Sequence, residues 1–465
     1  MQEKYDVVIS GGTLIDPKSR RRTVGSVGIR NGKIAAVNRT EMEGTEVFDA
    51  SGLVVCPGFV DIHSHLHKPL HGVWCALRQG ITTVLSGNCG ILNYMPLGKF
   101  LDELEREGYP LNFGTLVGHS WKLREMAGLT DPYRAADSSQ RAEMLRLAEE
   151  ALEEGAFGIS LGLEYAPGAD RQELLPLVKL AAKYDKLVPV HARTDALDFA
   201  PGLREIIELM EETGARLHIS HLAYQYSLYP DVGAMALSMI DAARARGLPL
   251  FCDSGVYEAF ATLIQSAVFD PGWYKRYNCR LSDLMVCSGK YLGRRCTEEI
   301  YEYVRTRETE TVGTAFVGLV PDMIAFLKKD YVMVSTDSGL VDQPGMGHPQ
   351  DAGTYPRLFG KVVREYGQLS LMDAIVKCTW LPACQMGIEE SKGWLGAGAD
   401  ADLVVFDPAS IEDKADYVGL GRPDAPPAGI RRVLVNGQVM VKDGETLEDR
   451  RPGRILRKPN RLWAL

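Results

Sequence analysis

The stretch PGFVDIHSHLHKPL, residues 57–70, sets an apolar run against three histidines at alternate positions, His63, His65 and His67. Alternation is the period of a β-strand, so side chains two apart point to one face. His63 and His65 therefore converge at the mouth of what reads as a buried strand. Two imidazoles on one face begin a metal site. The plainer readings are two loop histidines at the surface or one satisfied core histidine, and the rest of the chain decides between them.

Seven further short β-branched runs follow: ITTVLSG (81–87), NFGTLVGH (112–119), AFGISLG (156–162), KLVPVHAR (186–193), RLHISHLA (216–223), LPLFCDSG (248–255) and YVMVSTDSG (331–339). Amphipathic helical stretches such as SSQRAEMLRLAEEALEEG (138–155) and RQELLPLVKLAAKYD (171–185) lie between most of them. Eight alternating β and α units predict a (β/α)8 TIM barrel, with a doubly wound open sheet as the rival. The span 256–330 is too long for one crossover helix and reads as a substrate-side insertion after strand seven.

Both chain ends have a different texture. Residues 1–55 read as short strands punctuated by Gly11-Gly12 and Asn31-Gly32. GADADLVVFDP (398–408) and IRRVLVNGQVMVKDGE (430–445) read the same way, the latter turning at Asn436-Gly437. Three segments are expected: 1–55 and 396–465 as two parts of one small β domain, and 56–395 as the barrel.

The 465 residues are 45% hydrophobic and 24% charged, ordinary for a soluble globular chain. A net charge of −9 gives no electrostatic case for nucleic acid or an acidic membrane surface. MQEKYDVVIS is not read as a secretion signal, and no apolar run is long enough for a membrane span. Nine cysteines without such a signal point to free thiols and a cytoplasmic protein. The expected partner is a small molecule; a homo-oligomer is compatible with all of this.

In a barrel of this kind chemistry sits at the C-terminal ends of the strands. There the polar residues fall: His63 and His65 after strand one, Cys89 after strand two, His191 after strand five, His218 and His221 at strand six, Asp337 after strand eight. His218 and His221 are three apart and face opposite sides of a strand. His221, nearer the end, is read as the ligand; His218 is expected to pack under a helix. His119 stands open between a supporting donor and a core histidine. His67, His71 and His348 read as loop polar surface. Eight cysteines read as inert small residues; Cys89, in a Gly-Asn-Cys-Gly turn beside histidines, offers a thiolate suited to Zn²⁺.

GFVDIHSH, GITTVLSGNCG, LVGHSWKLR, GISLGLEYAPG, VHARTDALD, ISHL and STDSG with GHPQDAGTYPRLFG, in that order, resemble the N-acyl-D-amino-acid deacylases (D-aminoacylases) of the amidohydrolase superfamily. The resemblance runs over nearly the whole chain. GNCG is its most specific part, since most relatives use a carboxylated lysine where this subgroup uses cysteine. It implies a distorted (β/α)8 barrel with a small β-sandwich domain. It implies a tight zinc at Cys89, His191 and His221, and a second, weaker metal position at His63 and His65 with Cys89 shared. Asp337 would be the catalytic acid/base of a zinc-dependent amidohydrolase, with Tyr165 and Tyr257 near the substrate and Tyr165 or His119 donating to the oxyanion.

One departure concerns the substrate. Deacylases of this type commonly carry, two residues after the strand-six histidine, a lysine that contacts the substrate carboxylate; here that residue is Ala223. VHARTDALD also lacks the family's usual acidic residue soon after the arginine, though Asp195 is close. Arg193, Arg357 or a residue of the 256–330 insertion are the candidates to receive the carboxylate; Arg193 is alternatively a structural arginine paired with Asp195 or Asp253. The rival activity is hydrolysis of a cyclic amide or an isoaspartyl peptide, against which GNCG argues. A non-enzymatic scaffold on the same fold is the remaining alternative.

Overall fold

The computed structural model describes residues 4–38, 42–91, 94–222, 226–308 and 310–460. Eight parallel strands form the barrel: Phe59–Asp61, Ile81–Ser86, Asn112–Gly118, Ile159–Gly162, Leu187–His191, Arg216–Ile219, Phe251–Ser254 and Val332–Val334. The third strand breaks at Leu116. Its Asn112–Thr115 part pairs with strand two and its Val117–Gly118 part with strand four. That break makes the barrel irregular. Strand two is buried at every residue, as expected of a parallel strand covered on both faces.

The seam between strands one and eight closes just beyond both strands. Asp337 N–H donates to the His63 carbonyl (2.9 Å) and His65 N–H to the Ser338 carbonyl (2.7 Å). Thr336 donates to Asp61 through its amide (3.1 Å) and hydroxyl (2.5 Å). The residues that close the barrel are thus neighbours of those that carry its chemistry.

The crossover helices start where the sequence supplies caps. Asp137 accepts from the amides of Ser139 and Gln140 and forms a capping box at Ser138–Glu153. Asp170 caps Arg171–Lys183 by accepting from Glu173 N–H.

A nine-stranded sheet joins the two chain ends. Val54–Pro57 from the N-terminal part pairs antiparallel with Leu403–Phe406 from the C-terminal part. Under it, Lys392 is buried between Asp400 (3.0 Å) and Asp402 (2.6 Å), and Asp402 also accepts from Asn112 of barrel strand three (3.0 Å).

Between strands seven and eight the chain forms a three-stranded antiparallel sheet of Phe260–Leu263, Val312–Ala315 and Leu284–Val286, with helices Trp273–Arg276 and Glu298–Arg307. Its apolar cluster includes Phe269, Trp273, Tyr277 and Val304 and extends to Cys89 and Tyr165 of the barrel. The segment therefore packs directly on the barrel mouth. No helix among the described residues is long and apolar enough to cross a membrane.

Candidate active site

Cys89 sits in a turn built for it. The residue has φ +54° between Gly87 and Gly90, both also at positive φ. Asn88 ties the turn to the barrel by donating to the carbonyls of Leu85 (2.9 Å) and Ile62 (3.3 Å). A Cβ on Gly162 would lie 2.0 Å from the Cys89 carbonyl oxygen, so glycine at that end of strand four is what lets the turn approach.

The turn brings the thiol among the histidines. Cys89 Sγ lies 3.2 Å from His63 Nε2 and 3.6 Å from His221 Nε2, and His221 Nε2 lies 2.8 Å from His191 Nδ1. Asp337 Oδ1 stands 3.3 Å from His63 Nε2 and 3.1 Å from His65 Nε2. Two donor groups result, each gathered within 4.8 Å: Cys89, His191 and His221; and His63, His65, Cys89 and Asp337. Cys89 belongs to both.

Carboxylates hold the rings from behind. Asp253, on strand seven, lies 3.3 Å from His63 Nδ1 and accepts from His221 N–H (2.9 Å), Ser335 Oγ (2.5 Å) and His218 Nε2 (2.5 Å). Glu164 lies 3.1 Å from His191 Nε2. Each of these two histidines therefore turns its other nitrogen toward the donor group, the tautomer and orientation that metal ligation uses.

The thiol and carboxyl of the cluster are held ionised. Burial opposes ionisation of Cys89, but His63, His221 and His191 outweigh it and hold the thiol well below its ordinary pKa. Burial likewise opposes charge on Asp337, and hydrogen bonds to His63 and His65 overcome it, keeping the carboxyl well below the usual range. The imidazoles respond in the opposite sense. Burial alone would lower them, yet Asp337 and Cys89 bring His65 up to about 9, and Cys89 and Glu164 bring His191 up to about 10. Buried anions this close require positive charge among them, and a divalent cation held by one sulfur and two nitrogens would supply it.

A narrow cleft opens onto the cluster, lined by His191, His221 and Asp337, by Glu164, Asp195 and Thr262, and by Tyr165, Tyr226, Phe260 and Tyr277 among others. Tyr165 shares a hydrogen bond with Thr262 (2.8 Å) on its wall.

Several sequence expectations meet a different geometry. Arg193 is not on this wall: it pairs with Glu205 (2.8 Å) and donates to the carbonyls of Pro167 and Ala169. Neither Asp195 nor Asp253 is its partner. Arg357 is held by Glu258 (2.7 Å) and the Val256 carbonyl, above the Tyr257 ring. Tyr257 itself donates to Asp413 (2.7 Å) and the Pro349 carbonyl. None of the three lines the cavity.

His218 does not pack under a helix; it contacts Asp253, beneath the donor groups. Strand parity fails because strand six ends at Ile219 and His221 follows at φ +39°. His348 is buried and ringed by Tyr257 and Tyr417, not on the surface. His119 is a core histidine, paired with Glu173 (2.7 Å), which also meets Arg124; it does not line the cavity. Ala223 lies outside the described residues.

Arg276 and Tyr277 adjoin the site without having been singled out, and Asp253 was named only as a possible partner of Arg193. Asp253 had a signal, a carboxylate inside the apolar run LPLFCDSG; Arg276 and Tyr277, on a short insertion helix and just after it, had none.

The fold and the donor groups place the chain in a class of metal-centred barrel hydrolases, and comparison of its sequence with known families agrees: it belongs to the amidohydrolase family, matched over residues 54–440. It is 30% identical to an N-acyl-D-glutamate deacylase of Alcaligenes xylosoxydans xylosoxydans, with 98% of each chain covered. It is similar to the crystal structure of N-acyl-D-glutamate deacylase from Bordetella bronchiseptica complexed with zinc and a phosphonate mimic of the tetrahedral intermediate. That likeness has a TM-score of 0.84 at 29% identity over 98% of this chain and 100% of that one. A D-aminoacylase structure, described by one-metal activation and second-metal attenuation of a binuclear centre, is similar with a TM-score of 0.86 at 28% identity, again over 98% and 100%.

Proposed function

We propose that this chain is a zinc-dependent hydrolase of linear amides, releasing an amine and a carboxylic acid from an N-acylated substrate related to the N-acyl-D-amino acids. The observation that carries the reading is Cys89, shared by two donor groups at the mouth of a cavity that Asp337 also lines. Cys89, His191 and His221 would hold the principal zinc; His63 and His65, with Cys89 and Asp337, would hold a second ion more weakly.

Zinc, when bound, supplies a Lewis acid that lowers the pKa of water toward about 7 and polarises a carbonyl. The chain supplies the rest. Asp337 faces both donor groups and the cavity, so its carboxylate takes the proton of the attacking water and passes it to the departing nitrogen. Tyr165, on the cavity wall, has a hydroxyl that can donate toward the oxygen as negative charge develops there. Asp253 and Glu164 keep His63 and His191 turned toward the metal. The apolar rings of Tyr226 and Phe260 limit bulk water.

The experiment is hydrolysis of a panel of N-acyl D- and L-amino acids, N-acyl amines and cyclic amides by zinc-loaded protein. Amine release from linear members alone supports the reading; cleavage of cyclic members alone, or of none, opposes it.

A further inference from the structure

Strand four presents two residues to the Cys89 turn. Ser160 and Gly162, two apart in Ile159–Gly162, share one face of the strand. Gly162 leaves room for the Cys89 carbonyl, and Ser160 holds the turn that carries it. The Ser160 Oγ accepts from the Gly90 N–H (3.0 Å) and donates to the Gly87 carbonyl (2.5 Å), so one hydroxyl bridges the residues on either side of Asn88-Cys89. Its single proton is committed to the carbonyl and a lone pair to the amide. Asn88 ties the middle of the turn to the barrel, and the Trp121 N–H meets the Gly90 carbonyl (3.2 Å); Ser160 joins the two ends.

That clasp closes around a disfavoured backbone. Cys89 has φ +54°, a left-handed conformation that a residue with a side chain takes only where its surroundings impose it. Ser160, Gly87 and Gly90 are all buried, so bulk water does not stand in for the hydroxyl. Alanine at 160 would take this partner from a buried carbonyl and a buried amide at once. The position so fixed is one that a metal uses. Zinc bonds of about 2.3 Å to sulfur and about 2.0 Å to nitrogen, at the tetrahedral angle, set the two donors about 3.5 Å apart. Cys89 Sγ stands 3.6 Å from His221 Nε2.

We propose that Ser160 is a positioning residue for the metal centre. It presets the Cys89 turn so that the thiolate meets zinc without rearrangement, and zinc affinity then depends on a hydroxyl spent entirely on the backbone of that turn. The proposal rests on the amidase reading above, in which Cys89 is a zinc ligand.

The test titrates Ser160→Ala, Ser160→Thr and Lys392→Met, the last a control destabilised far from the site, with zinc against a chelator. Each is also loaded with cobalt, whose thiolate-to-metal charge-transfer band reports the Cys89 sulfur. Ser160→Ala should lose about ten- to a hundredfold in zinc affinity and weaken or shift the band. Ser160→Thr, which keeps the hydroxyl, should recover most of both, and Lys392→Met should change neither. Hydrogen exchange of the wild-type peptide spanning 87–90 needs no variant and decides alone if Ser160→Ala fails to fold. It should be slow in chelator-stripped protein and change little when zinc is added. Wild-type zinc affinity with an unaltered band in Ser160→Ala would overturn the proposal. So would an equal loss of affinity in Lys392→Met, or exchange that is fast until zinc is added. These outcomes leave the amidase reading standing. Zinc affinity that Cys89→Ala leaves unchanged overturns both.

Discussion

The Asp253 carboxylate stands 3.3 Å from His63 Nδ1 and accepts the His221 backbone N–H at 2.9 Å, so one side chain steadies a member of each donor group. Burial opposes its charge, yet His63 and His218 hold it well below the ordinary range, so it remains an anion. Asp253→Asn keeps the shape and removes that charge. Groups behind a ligand typically contribute about ten- to a hundredfold in metal affinity. Zinc competition against a chelator should show a loss of that size, with unfolding still cooperative. Unchanged affinity would mean that the backbone alone orients the rings.

Cys89 is common to both groups, so its replacement should weaken both positions. Cys89→Ala is expected to lower bound zinc, measured by elemental analysis, well below one per chain. His65→Ala, which touches only the second group, should leave the principal zinc in place. Loss of all metal in His65→Ala would reverse the assignment of the tight position.

Asp337→Asn should retain zinc and fold while losing about 10²–10⁴ in kcat, the usual weight of a general acid–base group. Near-full kcat would assign proton transfer to another group.

Away from the site, Lys392 is buried between Asp400 and Asp402. Removing one partner of a buried ion pair costs about 3–5 kcal/mol. Lys392→Met should show a loss of that order in urea unfolding. Burial opposes charge on Asp400, but Lys392 and Lys33 bring its pKa down to about 2. A depressed carboxylate stabilises the fold above its unfolded pKa and ceases to as pH falls through the folded value. Wild-type stability should therefore drop between about pH 4 and pH 2, and Lys392→Met should flatten the drop.

The barrel was readable because each strand is a short apolar run whose end carries a polar residue. GITTVLSGNCG contains both the buried strand and the turn that presents Cys89, and KLVPVHAR ends at His191. Local pattern suffices where a strand and its functional residue are contiguous. It fails where contact is made across the fold. Arg276 meets Glu164 and Asp195 only because the insertion folds back over the barrel mouth, and no periodicity announces that. Arg193 follows His191 by two residues, which suggests a shared face, but the strand has ended and Glu205 captures it. His218 was misplaced for the same reason, since alternation does not extend past Ile219. His348 looked like loop surface because a loop buried beneath Tyr417 has the composition of an exposed one.

On the reading proposed above, the Cys89, His191 and His221 group binds the zinc on which amide hydrolysis depends. The direct measurement is amine release from an N-acyl substrate by enzyme stripped with a chelator and then titrated with zinc. Activity should vanish on stripping and return in proportion to zinc, reaching its plateau near one ion per chain, with no return in Cys89→Ala. Turnover that survives complete removal of metal, or that zinc restores equally in Cys89→Ala, would contradict it.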